Sequence, residues 1–461
     1  MPVPLNTPFT RREFLKTTAS AAFGVGMRGR LPWDGITGPT PSGPQLRWQR
    51  DERAMFTHFG VNTFTNREWG DGTEDPAIFD PTALDPRQWA RVARRTGFRA
   101  MVLTAKHHDG FCLWPSRYTD HTVAHSPWKQ GQGDVVREFV DACRAEGLRP
   151  GLYLSPWDRH EPSYGDSPRY NDFYCNQLTE LLSNYGPIAE MWFDGANGEG
   201  PNGKKQAYDW PRFFGLVRRL QPHAVIFSDA GPDVRWIGNE KGVAGDPNWS
   251  TVDPAVVPYP GASGPGITEE LQHGDPHGSA WRPGESDVSI RPGWFYHPAE
   301  DDKVRSPDDL MDLYFSSVGR NSKLLLNVPP TREGLLHPTD VQHLTAFDAQ
   351  LTARFHDDLA AGGRTSWHKT GATTGVLTMD LPHPATVGLV SLSERIEQGQ
   401  CVARYSVAGR TGSAWTRLSA GTTIGYKKLD RTTPVEISRI RVTIDDALAE
   451  PRLEPPMLYR A

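Results

Sequence analysis

No run of 18 consecutive apolar residues occurs in this chain of 461 residues, and its mean hydropathy is −0.55, so no segment reads as a membrane-spanning helix. Cysteine is scarce. Cys112, Cys143, Cys175 and Cys401 lie far apart with no Cys-x-x-Cys, which excludes zinc ribbons and dithiol redox motifs and favours buried free thiols. An excess of one charge is lacking too: 50 Lys and Arg stand against 55 Asp and Glu, a formal −5, which argues against a nucleic-acid partner. No Gly-x-Gly-x-x-Gly or P-loop string follows a predicted strand, no Gly-x-Ser-x-Gly elbow occurs, and no His-Glu-x-x-His is present. These gaps count against nucleotide-binding, serine-hydrolase and zincin chemistry. What the chain holds in quantity is 15 Trp, 45 Gly and 40 Pro. Tryptophan is first a core residue, but its flat ring with one polar handle also suits stacking on sugars.

Residues 1–30 read as an export leader rather than folded protein. Thr10-Arg11-Arg12-Glu13-Phe14-Leu15-Lys16, followed by the small-residue stretch Thr17 to Met27, has the form of a twin-arginine signal. That implies bacterial export, to the periplasm or outside the cell. Residues 31–45, rich in Pro and Gly, read as a linker.

From about residue 46 to 360 strand and helix patterns alternate. Predicted strands cover 55–61, 98–104, 148–154, 188–193, 224–227, 234–237 and 324–326. Predicted helices cover 86–96, the segment capped by Asp134, 170–185, 210–220, 308–318 and 339–355. Repeated units of this length over some 300 residues predict an α/β fold, a (β/α)8-like TIM barrel with about eight strands. Residues 242–287 are Gly/Pro-rich and are expected to form a long functional or mobile loop. Residues 366–461 carry short strands split by turns, the pattern of a small C-terminal all-β sandwich.

In such a barrel the reacting groups sit at the carboxyl ends of the strands. Asp194 follows the apolar Met191-Trp192-Phe193 and precedes Gly195, which suits a positioned nucleophile or base, although a strand-terminal Asp capping a turn fits equally. Glu240 ends a different strand. Two carboxylates from separate strand ends can flank a glycosidic bond, one attacking the anomeric carbon and the other protonating the leaving oxygen. Glu285 competes with Glu240 for the acid role. His58, His107 and His108 could ligate a metal, but neighbouring residues on a strand point to opposite faces, which disfavours His107 and His108 sharing one ion. Histidines bonding sugar hydroxyls fit better beside Trp69, Trp114, Trp157 and Trp192. A retaining exo-glycosidase for another sugar on the same barrel, or from another class a non-catalytic sugar-binding protein, stands as the alternative reading.

Several strings together resemble the α-L-fucosidases of glycoside hydrolase family twenty-nine, in particular the branch acting on α-1,3/1,4-linked fucose. They are Phe56-Thr57-His58-Phe59-Gly60-Val61-Asn62-Thr63-Phe64, Arg67-Glu68-Trp69-Gly70-Asp71-Gly72-Thr73-Glu74-Asp75-Pro76 and Thr104 through Trp114. Further along come Tyr153-Leu154-Ser155-Pro156-Trp157-Asp158-Arg159, Trp192-Phe193-Asp194-Gly195-Ala196, and Gly231 through Glu240. The resemblance implies a retaining exo-glycosidase with Asp194 as nucleophile and Glu240 as general acid and base. It implies fucose contacts by His58, Glu68, Trp69, His107, His108, Tyr153 and Arg235, with Trp157 in the aromatic wall. A fucosylated oligosaccharide is the implied partner, and no cofactor or metal is implied.

Overall fold

The computed structural model describes residues 38–461; the expected leader, residues 1–30, lies outside the described residues. The expected linker ends sooner than predicted. Ser42 accepts the Gln45 amide while the Gln45 side chain accepts the Ser42 amide, a reciprocal cap that starts a helix at Gly43–Arg50.

Eight parallel strands close into a barrel. In chain order they are β1 (Arg53–Thr57), β2 (Ala100–Lys106), β3 (Arg149–Leu154), β4 (Glu190–Trp192), β5 (Val225–Ser228) and β6 (Val234–Trp236), then β9 (Gly284–Ser289) and β10 (Ser322–Asn327). Strand β10 pairs with both β9 and β1, which removes every sheet edge. A two-stranded antiparallel sheet, β7 (Thr251–Val252) with β8 (Ala280–Trp281), stands off the barrel.

Period-two alternation assigns each side chain to one wall. Ala54, Phe56, Ala100, Val102, Val225, Phe227, Val234 and Leu325 fill the lumen together with Tyr153 and Trp192, over Trp48. Their neighbours Met55, Met101, Leu103, Leu152, Leu154, Met191, Ile226, Leu324 and Leu326 face the helices instead. Asp134 caps the helix Val135–Ala145 through the Arg137 amide at 2.8 Å, as expected from the sequence. Trp89 and Trp210 are buried helix residues in the outer core.

One barrel strand was not expected. Gly284–Ser289 falls across the end of the presumed loop, and its sequence, GESDVS, is polar, yet every residue of it is buried. Only Val288 of this strand joins the apolar layer under the helices, while Glu285 and Asp287 alternate with it and face the lumen. The rest of 242–287 also carries ordered elements: the small two-stranded sheet and a helix at Ile267–His273.

Beyond the helix Pro338–Phe355, strands β11 (Arg364–Lys369), β12 (Gly375–Leu392), β13 (Val402–Thr411), β14 (Ala414–Gly421), β15 (Lys428–Ala447) and β16 (Met457–Tyr459) form one antiparallel sheet. The long strands β12 and β15 shift register between Asp380 and Ala385 and again between Val387 and Leu389. Residues from both halves, among them Leu377, Val390, Val407, Ile437 and Val442, pack into one core, so the expected sandwich is a single sheet folded on bulges. Polar bonds join it to the barrel. The Asn248 amide donates to Thr423 Oγ1 at 2.8 Å, the Ser250 amide to Gln400 Oε1 at 2.8 Å, and the Tyr426 amide to Asn321 Oδ1 at 2.8 Å. The segment expected to be a functional or mobile loop is thus in part a docking element. Cys112, Cys143 and Cys175 are buried and Cys401 half-buried, all unpaired. No helix among the described residues is long and apolar enough to cross a membrane.

Candidate active site

At the carboxyl end of the barrel a cavity of about 190 Å³ is lined by Phe56, His58, Glu68, Trp69, His107, His108, Tyr153, Trp192, Asp194, Ala196, Glu240, Asp287 and Trp294. Eight of the ten residues expected at the site therefore converge on one cavity, each from a strand end or the loop after it.

Asp194 is the second residue after β4 and is held from two sides. Its Oδ1 accepts the Ala196 amide at 2.7 Å and its Oδ2 accepts the Tyr153 hydroxyl at 3.2 Å. Burial raises its pKa, and those two donors oppose the rise. Glu240, in the loop after β6, accepts among the described residues only the Trp294 indole, at 3.4 Å. Its carboxyl is raised by burial and further by the charges of Asp194 and Glu68. Glu68 reaches in from the loop after β1 and is fixed by the Trp294 amide at 2.8 Å, the Phe295 amide at 3.2 Å and His297 Nε2 at 2.5 Å.

The three histidines are neutral. Burial pushes His58 and His108 down to about 3 and His107 well below the usual imidazole range. Their partners also select tautomers. Asn327 Oδ1 can only accept, so His58 Nδ1, at 2.8 Å, carries the proton and Nε2 is left as an acceptor. Ser155 Oγ spends its hydrogen on the Trp157 carbonyl at 2.6 Å, so His108 Nδ1 donates to it at 2.7 Å. His108 Nε2 then presents a lone pair, 3.9 Å from Asp194 Oδ2. Contrary to the alternation expected of adjacent residues, His107 and His108 both face the cavity, with ring centroids 4.1 Å apart. The reason is that β2 ends at Lys106, so strand geometry no longer applies to either. Among the described residues no three His, Cys, Asp or Glu side chains are grouped as metal ligands.

Trp157 stands behind the cavity rather than in its lining. It packs 4.8 Å from the His108 ring and 5.8 Å from Trp69, and its indole donates to the Glu199 carbonyl at 3.0 Å. Trp69 is 60% exposed at the rim. Trp114 is core, its indole bonded to Glu180 at 2.9 Å.

Two expectations are corrected. Arg235 does not reach the cavity: in β6 it lies between the lumen-facing Val234 and Trp236 and therefore points outward. Its guanidinium bonds the Leu271 carbonyl at 3.0 Å, Asn248 Oδ1 at 2.8 Å and the Arg282 carbonyl. Glu285 is no rival for the acid role. It is sealed in the lumen below the cavity, where Oε1 accepts the Trp192 indole at 3.0 Å and Lys323 Nζ lies 3.8 Å from Oε2. The carboxyl that does line the cavity from β9 is Asp287, which the sequence reading passed over together with Trp294 and Phe56. The signals were present: an acid two residues after Glu285, and the aromatic string Trp294-Phe295-Tyr296 just beyond.

A model of the alpha-L-fucosidase family matches residues 45–353. Alpha-L-fucosidase 1 of Arabidopsis thaliana is 43% identical over 450 residues, covering 91% of this chain and 87% of the plant protein. The crystal structure of SpGH29 superposes with a TM-score of 0.87 at 41% identity, over 93% of this chain and 99% of that one. A GH29 fucosidase of Ruminococcus gnavus, solved in complex with fucose, gives a TM-score of 0.83 at 31% identity, over 95% and 98% of the two chains. Carboxyl groups, neutral imidazoles and aromatic walls at the mouth of a closed barrel agree with these matches, and the chain belongs to the alpha-L-fucosidase family of glycoside hydrolases.

Proposed function

We propose that the chain removes terminal α-L-fucose from oligosaccharides by double displacement with retention at the anomeric carbon, Asp194 acting as nucleophile and Glu240 as acid and then base. The observation that carries this reading is the unequal support of the two carboxyls. Asp194 has two donors, one on each oxygen, which favour its ionised form; Glu240 has one long donor and feels the negative charge of Asp194. That asymmetry favours the ionised form at Asp194 and the protonated form at Glu240, the division a retaining glycosidase requires. In the first step Asp194 bonds to the anomeric carbon as the glycosidic C–O bond breaks and Glu240 protonates the departing oxygen. In the second, Glu240 takes a proton from water, which displaces Asp194. The lone pairs of His58 Nε2 and His108 Nε2 accept sugar hydroxyls, and Phe56, Trp192 and Trp294 offer an apolar wall to the fucose methyl group.

Replacing Asp194 by Ala is expected to lower kcat on an aryl α-L-fucoside by about 10³-fold or more, with azide restoring turnover and yielding the β-fucosyl azide. Near-normal activity without azide would remove the assignment.

A preference for α-1,3/1,4 linkages in branched glycans is part of the same proposal. It rests on the motif strings Phe56 to Phe64, Arg67 to Pro76 and Gly231 to Glu240, which resemble the branch acting on those linkages. Faster release of fucose from Lewis-type trisaccharides than from a 2-linked fucoside supports it, and the reverse order refutes it. Export by the twin-arginine route is likewise proposed from Arg11 and Arg12. The full chain with both changed to Lys should stay in the cytoplasm, and unchanged export would contradict that.

A further inference from the structure

The cavity carries more acid than the two-carboxylate reaction uses. Asp194, Glu240, Glu68 and Asp287 all line it, and among the described residues no Lys or Arg side chain does. Each of the first three has an evident use or a full set of donors, whereas Asp287 has neither. It sits on the buried strand β9 and is only 4% exposed. Its Oδ1 accepts the Trp236 indole at 2.7 Å. Among the described residues its Oδ2 has no hydrogen-bond partner, yet that oxygen is not among the sealed, unpartnered polar atoms, so it opens on the cavity.

We propose that Asp287 is a sugar-binding residue that works as the neutral acid, its Oδ2–H donating a hydrogen bond to a hydroxyl oxygen of the sugar in the cavity. The proposal rests on the glycosidase reading for the identity of that sugar. The location of the proton follows from the neighbours. Oδ1 is committed as an acceptor to Trp236, so a proton on this carboxyl sits on Oδ2, the atom facing the ligand. The charges that act on it are those of Glu240 from the loop after β6 and Asp194 after β4, with Glu285 two residues earlier on its own strand; the other titratable groups lining the cavity are Glu68, Tyr153 and the neutral His58, His107 and His108. Burial, with the charges of Glu240 and Asp194 beside it, outweighs the Trp236 indole and its own backbone N–H and holds its carboxyl well above the ordinary range. The result complements the histidines. His58 and His108 offer acceptors to the sugar, while Asp287 offers a donor from the floor, as a protonated aspartate does wherever an apolar, acid-rich site keeps it neutral.

The test compares the wild type with Asp287→Asn and Asp287→Ala, by hydrolysis of 4-nitrophenyl α-L-fucoside across pH and by calorimetric titration with L-fucose. Asn keeps an acceptor for Trp236 and a donor for the sugar, so kcat/KM and the L-fucose affinity should stay within about 5-fold of wild type, with both limbs of the pH profile in place. Ala removes the donor and should weaken both by about 30-fold or more. Asp287→Asn falling as far as Asp287→Ala, or losing a limb of the profile, would overturn the proposal by showing that an ionised carboxylate is needed. Ala within about 3-fold of wild type would overturn it as well. If the Ala variant does not fold, Asp287→Asn alone decides, by retained or lost affinity. A wild type that binds L-fucose but hydrolyses nothing would refute the enzymatic reading and leave the binding arm to judge Asp287; one that does neither refutes both.

Discussion

At the scale of single residues, the site works through which atoms hold protons. Buried imidazoles cannot serve as cations here, and fixed acceptors on Asn327 and Ser155 turn the lone pairs of His58 and His108 toward the cavity. Glu240 is the acid left with least support, one 3.4 Å contact from Trp294. Removing it should therefore hurt most where the leaving group needs a proton. Glu240→Ala is expected to reduce kcat/KM on a natural fucosyl oligosaccharide by at least about 100-fold, and on an aryl fucoside with an acidic phenol by roughly 10-fold or less. Steady-state kinetics on the two substrates checks this; equal losses would move the acid role elsewhere. Asp194 was legible because it directly ends a strand pattern, and Glu240 because it follows another within a few residues. Asp287 was not, because it lies inside a strand whose lumen face is acidic, and apolar periodicity cannot signal a polar interior.

At the scale of elements, the same limit hid β9. Six buried residues reading Gly-Glu-Ser-Asp-Val-Ser look like a turn until Lys323 of the adjacent strand is seen beside Glu285 and the Trp192 and Trp236 indoles on Glu285 and Asp287. The apolar strands β2, β3 and β10 were found within two residues of their ends, since their patterns are continuous. Alternation within β6 explains why Arg235 was misplaced. Motif position put Arg235 in the site, but the pleat sends Trp236 inward and Arg235 out to the helix Ile267–His273, where it ties the 242–287 excursion to the barrel. Arg235→Ala should thus act on stability, costing roughly 2–4 kcal/mol in denaturant unfolding by orphaning buried carbonyls, with KM for a fucoside changed less than about 3-fold. A large rise in KM with unchanged stability would return Arg235 to the ligand.

At the scale of the whole molecule, barrel and C-terminal sheet share one core. Leu389, Leu429 and Tyr459 of the sheet pack in the same apolar cluster as the outer barrel helices, with the Phe355 and Tyr459 rings 5.0 Å apart. Polar bonds from Asn248, Ser250 and Asn321 close the junction. The two should unfold together, as a single calorimetric transition whose calorimetric and van't Hoff enthalpies agree; two separated transitions would show independent domains. The boundary near residue 360 was visible as a change of texture from alternating units to short strands, whereas the joint core was not, because it depends on distant residues meeting. All of this architecture presents Asp194 and Glu240 to one sugar-sized cavity, and the central claim is that they act by double displacement. Proton NMR of the first-formed product from an aryl α-L-fucoside, recorded before mutarotation, tests it most directly. Retention predicts α-L-fucose as the initial anomer, and initial β-L-fucose would contradict it.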